Sequence, residues 1–219
     1  MTDRSGWFHP WSGAWRRKAF RVRLLLASVL LGAALLSLVT FLQWVERRSG
    51  VVVPDPVLAI VGPIDLTWPI FGLIYLSLIT ALIAFTGDPE GLTLAMLAYA
   101  LTAGFRMAAM FLLPLDPPAT AIPLQDPFVQ LFGTGDVLMR DLFFSGHTST
   151  LLLLTLATRN RRLRFLFACG TIGVALGVIL HHAHYAVDVL VAPFVAYTAY
   201  RLARMAIHRF DPESSITLS

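Results

Sequence analysis

The sequence predicts an all-α membrane protein with six transmembrane helices, and three observations lead to this fold class. Of the 219 residues, 57% are hydrophobic and only 14% are charged, which is typical of polytopic membrane proteins. Several apolar runs approach the roughly 20 residues that cross a bilayer as a helix. The segments between these runs contain Pro, Gly or Arg, which favour turns and the aqueous side. We expect residues 1–219 to form a single integral membrane domain.

The apolar runs give the positions of the six predicted spans. Residues 1–23 are polar, aromatic and basic and have no clear signal-peptide core, so we expect an uncleaved cytoplasmic segment there. Residues 24–205 form the six-helix core, and residues 206–219 form a cytoplasmic tail. The predicted spans cover residues 24–42, 66–85, 92–113, 142–158, 165–180 and 185–205. Proline-rich connections are expected over residues 46–65 and 114–140, and the glycines of the fifth span predict close helix contact.

Arginine-rich segments predict the orientation of the chain in the membrane. In a six-span protein the amino terminus, the turn at residues 159–164 and the tail share one side, which the positive-inside rule makes cytoplasmic. The net charge of +4 therefore indicates topology and not a nucleic-acid partner. A single lysine, Lys18, among many arginines and alanines points to a high-GC bacterium and therefore to its inner membrane, with Arg106, His147 and His184 toward the periplasmic face. The lone Cys169 excludes an intrachain disulfide.

The first candidate motif runs from Asp141 to Thr148 and contains Ser145-Gly146-His147. Ser145 is placed to cap the fourth helix, so Gly146 and His147 fall in the first helical turn. Free backbone N–H groups and the positive end of the helix dipole favour a phosphate at such a position. Arg106, in the third span, is a candidate to offset the phosphate charge.

The second candidate motif lies within residues 180–190, at the start of the sixth span. If this stretch is helical, His184 and Asp188 share one face with His181, while His182 points away. A carboxylate one turn from an imidazole holds its tautomer and stabilises its charged form. One histidine backed by a carboxylate and another placed as acid or base are what phosphoryl transfer through a phosphohistidine requires.

These motifs resemble those of a known enzyme superfamily. Ser145-Gly-His-Thr148 and His184-Tyr-Ala-Val-Asp188 are similar to the two catalytic motifs of the type 2 phosphatidic acid phosphatases, a superfamily of lipid phosphatases and phosphotransferases. Asp141 and the aromatic residue before Ser145 make the sphingomyelin synthase branch the nearer match, over roughly residues 99–197.

The resemblance implies a role for each residue of the two motifs. His184 would be the nucleophile, Asp188 its orienting partner and His147 the acid and then the base. No metal or other cofactor is expected. The residues expected to bind substrate are Arg106, Asp141, Ser145, Gly146 and Tyr185.

The resemblance also implies a reaction. The enzyme would move phosphocholine or phosphoethanolamine from a glycerophospholipid donor to a lipid-alcohol acceptor such as ceramide. The alternative is a phosphatase acting on phosphatidate or a related lipid phosphate. In the phosphatase branch a proline follows the arginine of the third span, but here Met107 follows Arg106. A site with few cations suits a diester with one negative charge better than a monoester with nearly two.

Other functions stay open at the level of sequence. An intramembrane serine protease could use Ser145 with a histidine of the sixth span. A metal site could be formed by His147, His181, His184 and Asp188, and a transporter would also place ionisable groups in the membrane. Arg106 could instead snorkel or pair with Asp116. The loop acids Asp116, Asp126 and Asp136 are expected to be solvated.

Overall fold

The computed structural model describes residues 9–124 and 138–210, and the described residues form seven helices. Their bounds are α1 His9–Arg16, α2 Lys18–Glu46, α3 Thr67–Phe85, α4 Pro89–Leu112, α5 Gly146–Ala157, α6 Arg161–Leu180 and α7 Ala186–Phe210. No β-strand occurs in these ranges, and a single isolated bridge joins Val51 to Leu115. The expected all-α class is therefore confirmed for the described part of the chain.

Five helices, α2, α3, α4, α6 and α7, are long and apolar enough to cross a membrane. They make the chain a polytopic membrane protein. The fourth predicted span is shorter than expected, because residues 142–145 are not helical and α5 has only 12 residues. At ~1.5 Å per residue this helix is about 18 Å long, against a hydrocarbon core of roughly 30 Å. The count of six spans therefore stays a prediction.

Three helices extend beyond the apolar runs that predicted them. The helix α2 begins at Lys18, α6 begins at Arg161, and α7 continues to Phe210, five residues past the predicted end at Met205. Arginine and lysine side chains can lie along apolar surface while their charges reach water, so a helix can continue through the headgroup layer. The bounds of α3 and α4 agree with the prediction to within a few residues.

Small residues bring the helices around the site into close contact. Ala196 and Ala203 of α7 are fully buried in a cluster with Leu94 and Ala98 of α4 and with Leu153 of α5. The predicted glycine face of α6 also packs closely. A Cβ atom on Gly177 would lie 2.9 Å from Ile70 of α3, and one on Gly173 would lie 3.0 Å from Leu73. This packing lets polar residues of α4, α5 and α7 converge at one end of the bundle.

Ion pairs join the helix ends at the opposite side of the bundle. The buried carboxylate of Glu90, in the first turn of α4, contacts the guanidinium groups of Arg17 and Arg23. Asp88, which caps α4, lies 3.3 Å from Arg159 in the α5–α6 turn. The sequence predicts that the arginine-rich segments lie on one side of the membrane, and these contacts of the amino-terminal segment and the α5–α6 turn with the start of α4 agree with that prediction. Their assignment to the cytoplasm stays a prediction.

The end that carries the site is covered by connecting segments held together by Arg140. The guanidinium of Arg140 donates to Asp116 Oδ1 at 2.6 Å and to the backbone carbonyl of Glu46 at 2.7 Å. Asp116 is therefore an ion-paired loop residue, and its side chain stays 25% exposed. Its hydrogen bond with Arg140 lowers the pKa of Asp116. Asp126 and Asp136 lie outside the described residues.

The buried charge cluster gives a test of the packing. We expect Glu90→Leu to destabilise the protein by ~3–5 kcal/mol, because it removes the carboxylate that Arg17 and Arg23 contact in a buried position. Thermal unfolding in detergent measures the effect. Arg159→Gln is the matched control, since it breaks a partly exposed pair at the same end and should cost less than ~1 kcal/mol. Equal effects of the two substitutions would contradict this interpretation.

Candidate active site

The two sequence motifs meet at the covered end of the bundle. The imidazole rings of His147 and His184 lie with their centroids 6.2 Å apart and an interplanar angle of 66°. A backbone hydrogen bond also joins the motifs, because the N–H of Ser145 donates to the carbonyl of Asp188 at 3.1 Å. On another side His147 meets the ring of Phe71 edge-on, with the centroids 6.2 Å apart. The site therefore contains two imidazoles beside an apolar wall.

The first motif forms the amino-terminal cap of α5, as predicted. The fully buried Ser145 accepts a hydrogen bond from the N–H of Thr148 at 3.4 Å, and its hydroxyl lies 3.1 Å from the Thr148 hydroxyl. Gly146 is the first helical residue and His147 the second. The positive end of the α5 dipole therefore lies beside the two imidazoles, where it favours an anion.

Arg106 is directed at the start of α5. A Cβ atom on Gly146 would lie 1.8 Å from the Nη1 atom of Arg106, so the guanidinium occupies the space that a side chain at position 146 would need. Its Nη2 atom donates to Asp141 Oδ1 at 2.6 Å, and the residue is 9% exposed. Arg106 thus neither snorkels to water nor pairs with Asp116. Arg106 therefore places one positive charge, paired with the Asp141 carboxylate, at the position where a phosphate is predicted to bind.

The second motif is a turn followed by a helix and not one continuous helix. The helix α6 ends at Leu180, α7 begins at Ala186, and His182 has a φ of 57°. The expectation that His181 shares a helical face with His184 and Asp188 is therefore wrong, because the chain leaves the helical path between them.

The contact between His184 and Asp188 is nevertheless made. Asp188, the third residue of α7, lies with Oδ2 3.4 Å from Nδ1 of His184 and accepts from the N–H of Tyr185 at 3.1 Å. His184 is 2% exposed and Asp188 is fully buried. An orientation that directs Nδ1 to Asp188 leaves Nε2 of His184 as the ring nitrogen available to a substrate.

His181 and His182 hold the covering segments in place. The ring of His182 lies 2.6 Å from the Thr120 hydroxyl and 3.0 Å from the Val61 carbonyl. Nδ1 of His181 accepts from the N–H of Leu66 at 3.0 Å, and burial lowers the pKa of His181. A neutral imidazole is needed for this acceptor role, so the contact agrees with the direction of the pKa shift.

Tyr185 also contacts the covering segments. Its hydroxyl donates to the Asp116 carbonyl at 2.8 Å and accepts from the N–H of Val53 at 3.3 Å. The side chain is 1% exposed. The predicted role of Tyr185 in substrate binding stays a prediction. Its observed contacts hold the turn before α7 against the connecting segments that cover this end of the bundle.

Asp55 is a residue of this region that sequence reasoning missed. Its Oδ2 atom accepts from the N–H of Ala186, at the start of α7, at 2.6 Å. The only local signal was an aspartate beside Pro54 and Pro56, which indicates a turn. A contact between residues 131 positions apart leaves no pattern in a single sequence.

Comparison with known families supports the superfamily suggested by the motifs. A family model described as PAP2 superfamily C-terminal matches residues 140–205, which include both histidine motifs. The match supports the type 2 phosphatidic acid phosphatase superfamily and a lipid phosphatase or phosphotransferase activity. It does not distinguish the branches of the superfamily. No curated protein sequence matches the chain.

Two of the alternative functions fit this geometry less well. Within residues 9–124 and 138–210, no group of three or more His, Cys, Asp or Glu side chains is arranged to hold a metal ion. The hydroxyl of Ser145 contacts Thr148, whereas a serine nucleophile would need a base such as histidine.

Gly146→Ala tests the position of Arg106. The added methyl group must displace the guanidinium, and we expect turnover of lipid phosphate esters to fall by roughly 10²–10³-fold, as when one transition-state donor is lost. Because the displaced group is the end of a flexible side chain, the fold should survive. Gly104→Ala on α4 is the matched control, since its Cβ meets no atom within 4 Å. Activity assays with thermal unfolding separate the two effects, and a fully active Gly146→Ala protein would contradict the assignment.

Proposed function

We propose that the protein is a lipid head-group phosphotransferase that works through a phosphohistidine. The observation that carries the proposal is the 6.2 Å separation of the His147 and His184 rings beside the start of α5 and Arg106. Two imidazoles at this distance can contact the same phosphoryl group. The proposed donor is a glycerophospholipid with a phosphocholine or phosphoethanolamine head group, and the proposed acceptor is a lipid hydroxyl such as that of ceramide.

In the first step Nε2 of His184 attacks the phosphorus of the donor. A P–N bond forms, the bond between phosphorus and the diacylglycerol oxygen breaks, and the proton of His147 goes to the departing alkoxide. Asp188, 3.4 Å from Nδ1 of His184, stabilises the positive charge that develops on the ring. Hydrogen bonds of this kind are often long before substrate binds and shorten in the reactive complex.

In the second step the acceptor hydroxyl gives its proton to His147 and attacks the phosphorus. A P–O bond forms, the P–N bond breaks and His184 regains its lone pair. The dipole of α5 and the Arg106 guanidinium stabilise the negative oxygens in both steps. His147 ends each cycle protonated, as it began.

The charges near the site favour a diester substrate. Two arginines of this end, Arg106 and Arg140, have carboxylate partners, Asp141 and Asp116, whereas Arg48 at the end of α2 donates to the Phe111 carbonyl. A diester brings one negative charge and a monoester nearly two, so a diester needs less positive charge in the site to offset its own charge. This balance supports the head-group transferase over the phosphatidate phosphatase.

Burial also favours transfer over hydrolysis. His184 is 2% exposed and Asp188 is fully buried beneath the connecting segments. Limited access of water protects a reactive phosphohistidine until a lipid hydroxyl arrives. With the arginine-rich end in the cytoplasm, the site would face the periplasm and use lipids of the outer leaflet of the inner membrane.

Trapping the covalent intermediate tests the mechanism. We expect His147→Gln, which lacks the acid and base, to lower turnover by ~10²–10⁴-fold. We expect His184→Ala to abolish both turnover and the adduct. Incubation with a phospholipid labelled in the head group, followed by peptide mass spectrometry under alkaline conditions, detects phosphorylated His184. His208→Ala, on α7 far from the motif, is the control. Unchanged turnover in both site variants would end the proposed mechanism.

A competition between substrates tests the reaction class. The purified protein is incubated with phosphatidylcholine, phosphatidylethanolamine, phosphatidate and ceramide, and the products are identified by mass spectrometry. We expect ceramide to gain a head group while diacylglycerol accumulates, because the charge balance favours a diester. Release of inorganic phosphate from phosphatidate alone would instead establish the phosphatase activity.

A further inference from the structure

We propose that Asp55 is a positioning residue for the turn that carries His184. Asp55 lies in the connection between α2 and α3 and acts through the backbone of Ala186, without contact to substrate. Its effect on turnover rests on the proposed function. Its effect on the geometry of the turn does not.

Both oxygens of the Asp55 carboxylate are used by backbone donors. Oδ2 accepts from the N–H of Ala186 at 2.6 Å, and Oδ1 accepts from the N–H groups of Val57 at 2.8 Å and Leu58 at 3.2 Å. The bonds to Val57 and Leu58 fix the carboxylate within its own segment. The bond to Ala186 places a negative charge at the positive end of α7, where it stabilises the first helical turn.

The helix α7 needs this external acceptor because the residue before it cannot supply one. A helix begins with backbone N–H groups that have no partner within the helix. Tyr185 directs its hydroxyl to Asp116 and Val53, and it has no other polar side-chain atom. Asp55 therefore takes the place of a side-chain cap from a segment 131 residues earlier in the chain.

The cap also keeps Asp188 available to His184. The Asp188 carboxylate already accepts from the N–H of Tyr185, and its Oδ1 atom has no hydrogen-bond partner among the described residues. Without Asp55, the N–H of Ala186 would need an acceptor, and Asp188 is a carboxylate of the same turn. Recruitment of Asp188 by Ala186 would turn it away from Nδ1 of His184. The fixed position of Asp55 thus preserves the orientation of the nucleophile.

The connection between α2 and α3 also contacts the end of α6 and the turn after it at three further residues, which supports this interpretation. The Val61 carbonyl accepts from Nε2 of His182 at 3.0 Å, the N–H of Ile64 donates to the Leu180 carbonyl at 2.8 Å, and the N–H of Leu66 donates to His181. These contacts hold the beginning of the turn. Asp55 holds its end, where the nucleophile and α7 meet.

The chain offers a matched control in Asp65. This residue belongs to the same connection and also accepts hydrogen bonds at a helix start, since its Oδ1 accepts from the N–H of Thr67 at 3.0 Å and from the Thr67 hydroxyl at 2.7 Å. Its helix is α3, and it makes no hydrogen bond to residues 184–188 among the described residues. Asp55→Ala and Asp65→Ala therefore remove the same chemical group from a helix start, but only the first change should alter the nucleophile.

The structural arm of the experiment does not require activity. We expect Asp55→Ala to speed amide hydrogen exchange in peptides covering residues 183–189 by about tenfold, as loss of a cap would. Nitrogen NMR of labelled imidazoles should show loss of the single His184 tautomer, with the His184 signal identified by its absence in His184→Ala. Asp65→Ala should affect the start of α3 and the neighbouring His181, which lies 3.7 Å from the Asp65 carboxylate, but not the exchange of residues 183–189. Unchanged exchange and tautomer in Asp55→Ala would overturn the proposal.

The kinetic arm measures the consequence for the reaction. We expect Asp55→Ala to lower kcat by roughly 10–100-fold with KM little changed, because misplacement of a reacting group acts on the chemical step. Asp55→Asn keeps one acceptor oxygen and should recover part of kcat. An altered turn with unchanged kcat and unchanged His184 phosphorylation would overturn the positioning role. If the wild-type protein transfers no head group, the proposed function fails and the structural arm alone decides the proposal.

Discussion

Asp188 joins the two halves of the site, and the remaining geometry depends on its contacts. Its backbone carbonyl accepts from the N–H of Ser145, so the start of α5 is fixed against the start of α7. Its carboxylate accepts from Tyr185 and lies beside His184. A fully buried carboxylate is costly unless its surroundings supply donors or positive charge. The turn before α7 and the His184 ring provide them, and the same contacts orient the proposed nucleophile.

The need to compensate buried charges shapes the rest of the bundle. At the site end Arg106 pairs with Asp141, and at the opposite end Arg23 pairs with Glu90. Charged groups in a membrane protein are expensive unless they have partners or reach water. At the site this requirement leaves little surplus positive charge for a substrate. The proposed preference for a monoanionic diester is thus a consequence of the same balance that lets Arg106 lie inside the bundle.

Local patterns predicted the parts of the structure that depend on neighbouring residues. The cap at Ser145 and the glycine face of α6 follow from side chains within a few positions of each other. The condition for placing His181 on the face of His184 and Asp188, a helix through this stretch, is not met, because the contacts of His181 and His182 with distant segments stabilise a turn there. The ion pair of Asp116 with Arg140 was not predicted for a similar reason, since the two residues lie 24 positions apart within one connection.

The membrane-spanning class, most helix positions and the pair of motifs that suggests a lipid phosphoryl transferase follow from the order of residues alone. These conclusions depend on hydrophobic run length and on residue spacing, which are local properties. The folded chain was needed to find that Arg106 pairs with Asp141, that Asp55 accepts from the start of α7, and that the His147 and His184 rings lie 6.2 Å apart. Contacts of this kind arise when helices pack and their connections fold over one end, and a single sequence carries no periodic signal for them.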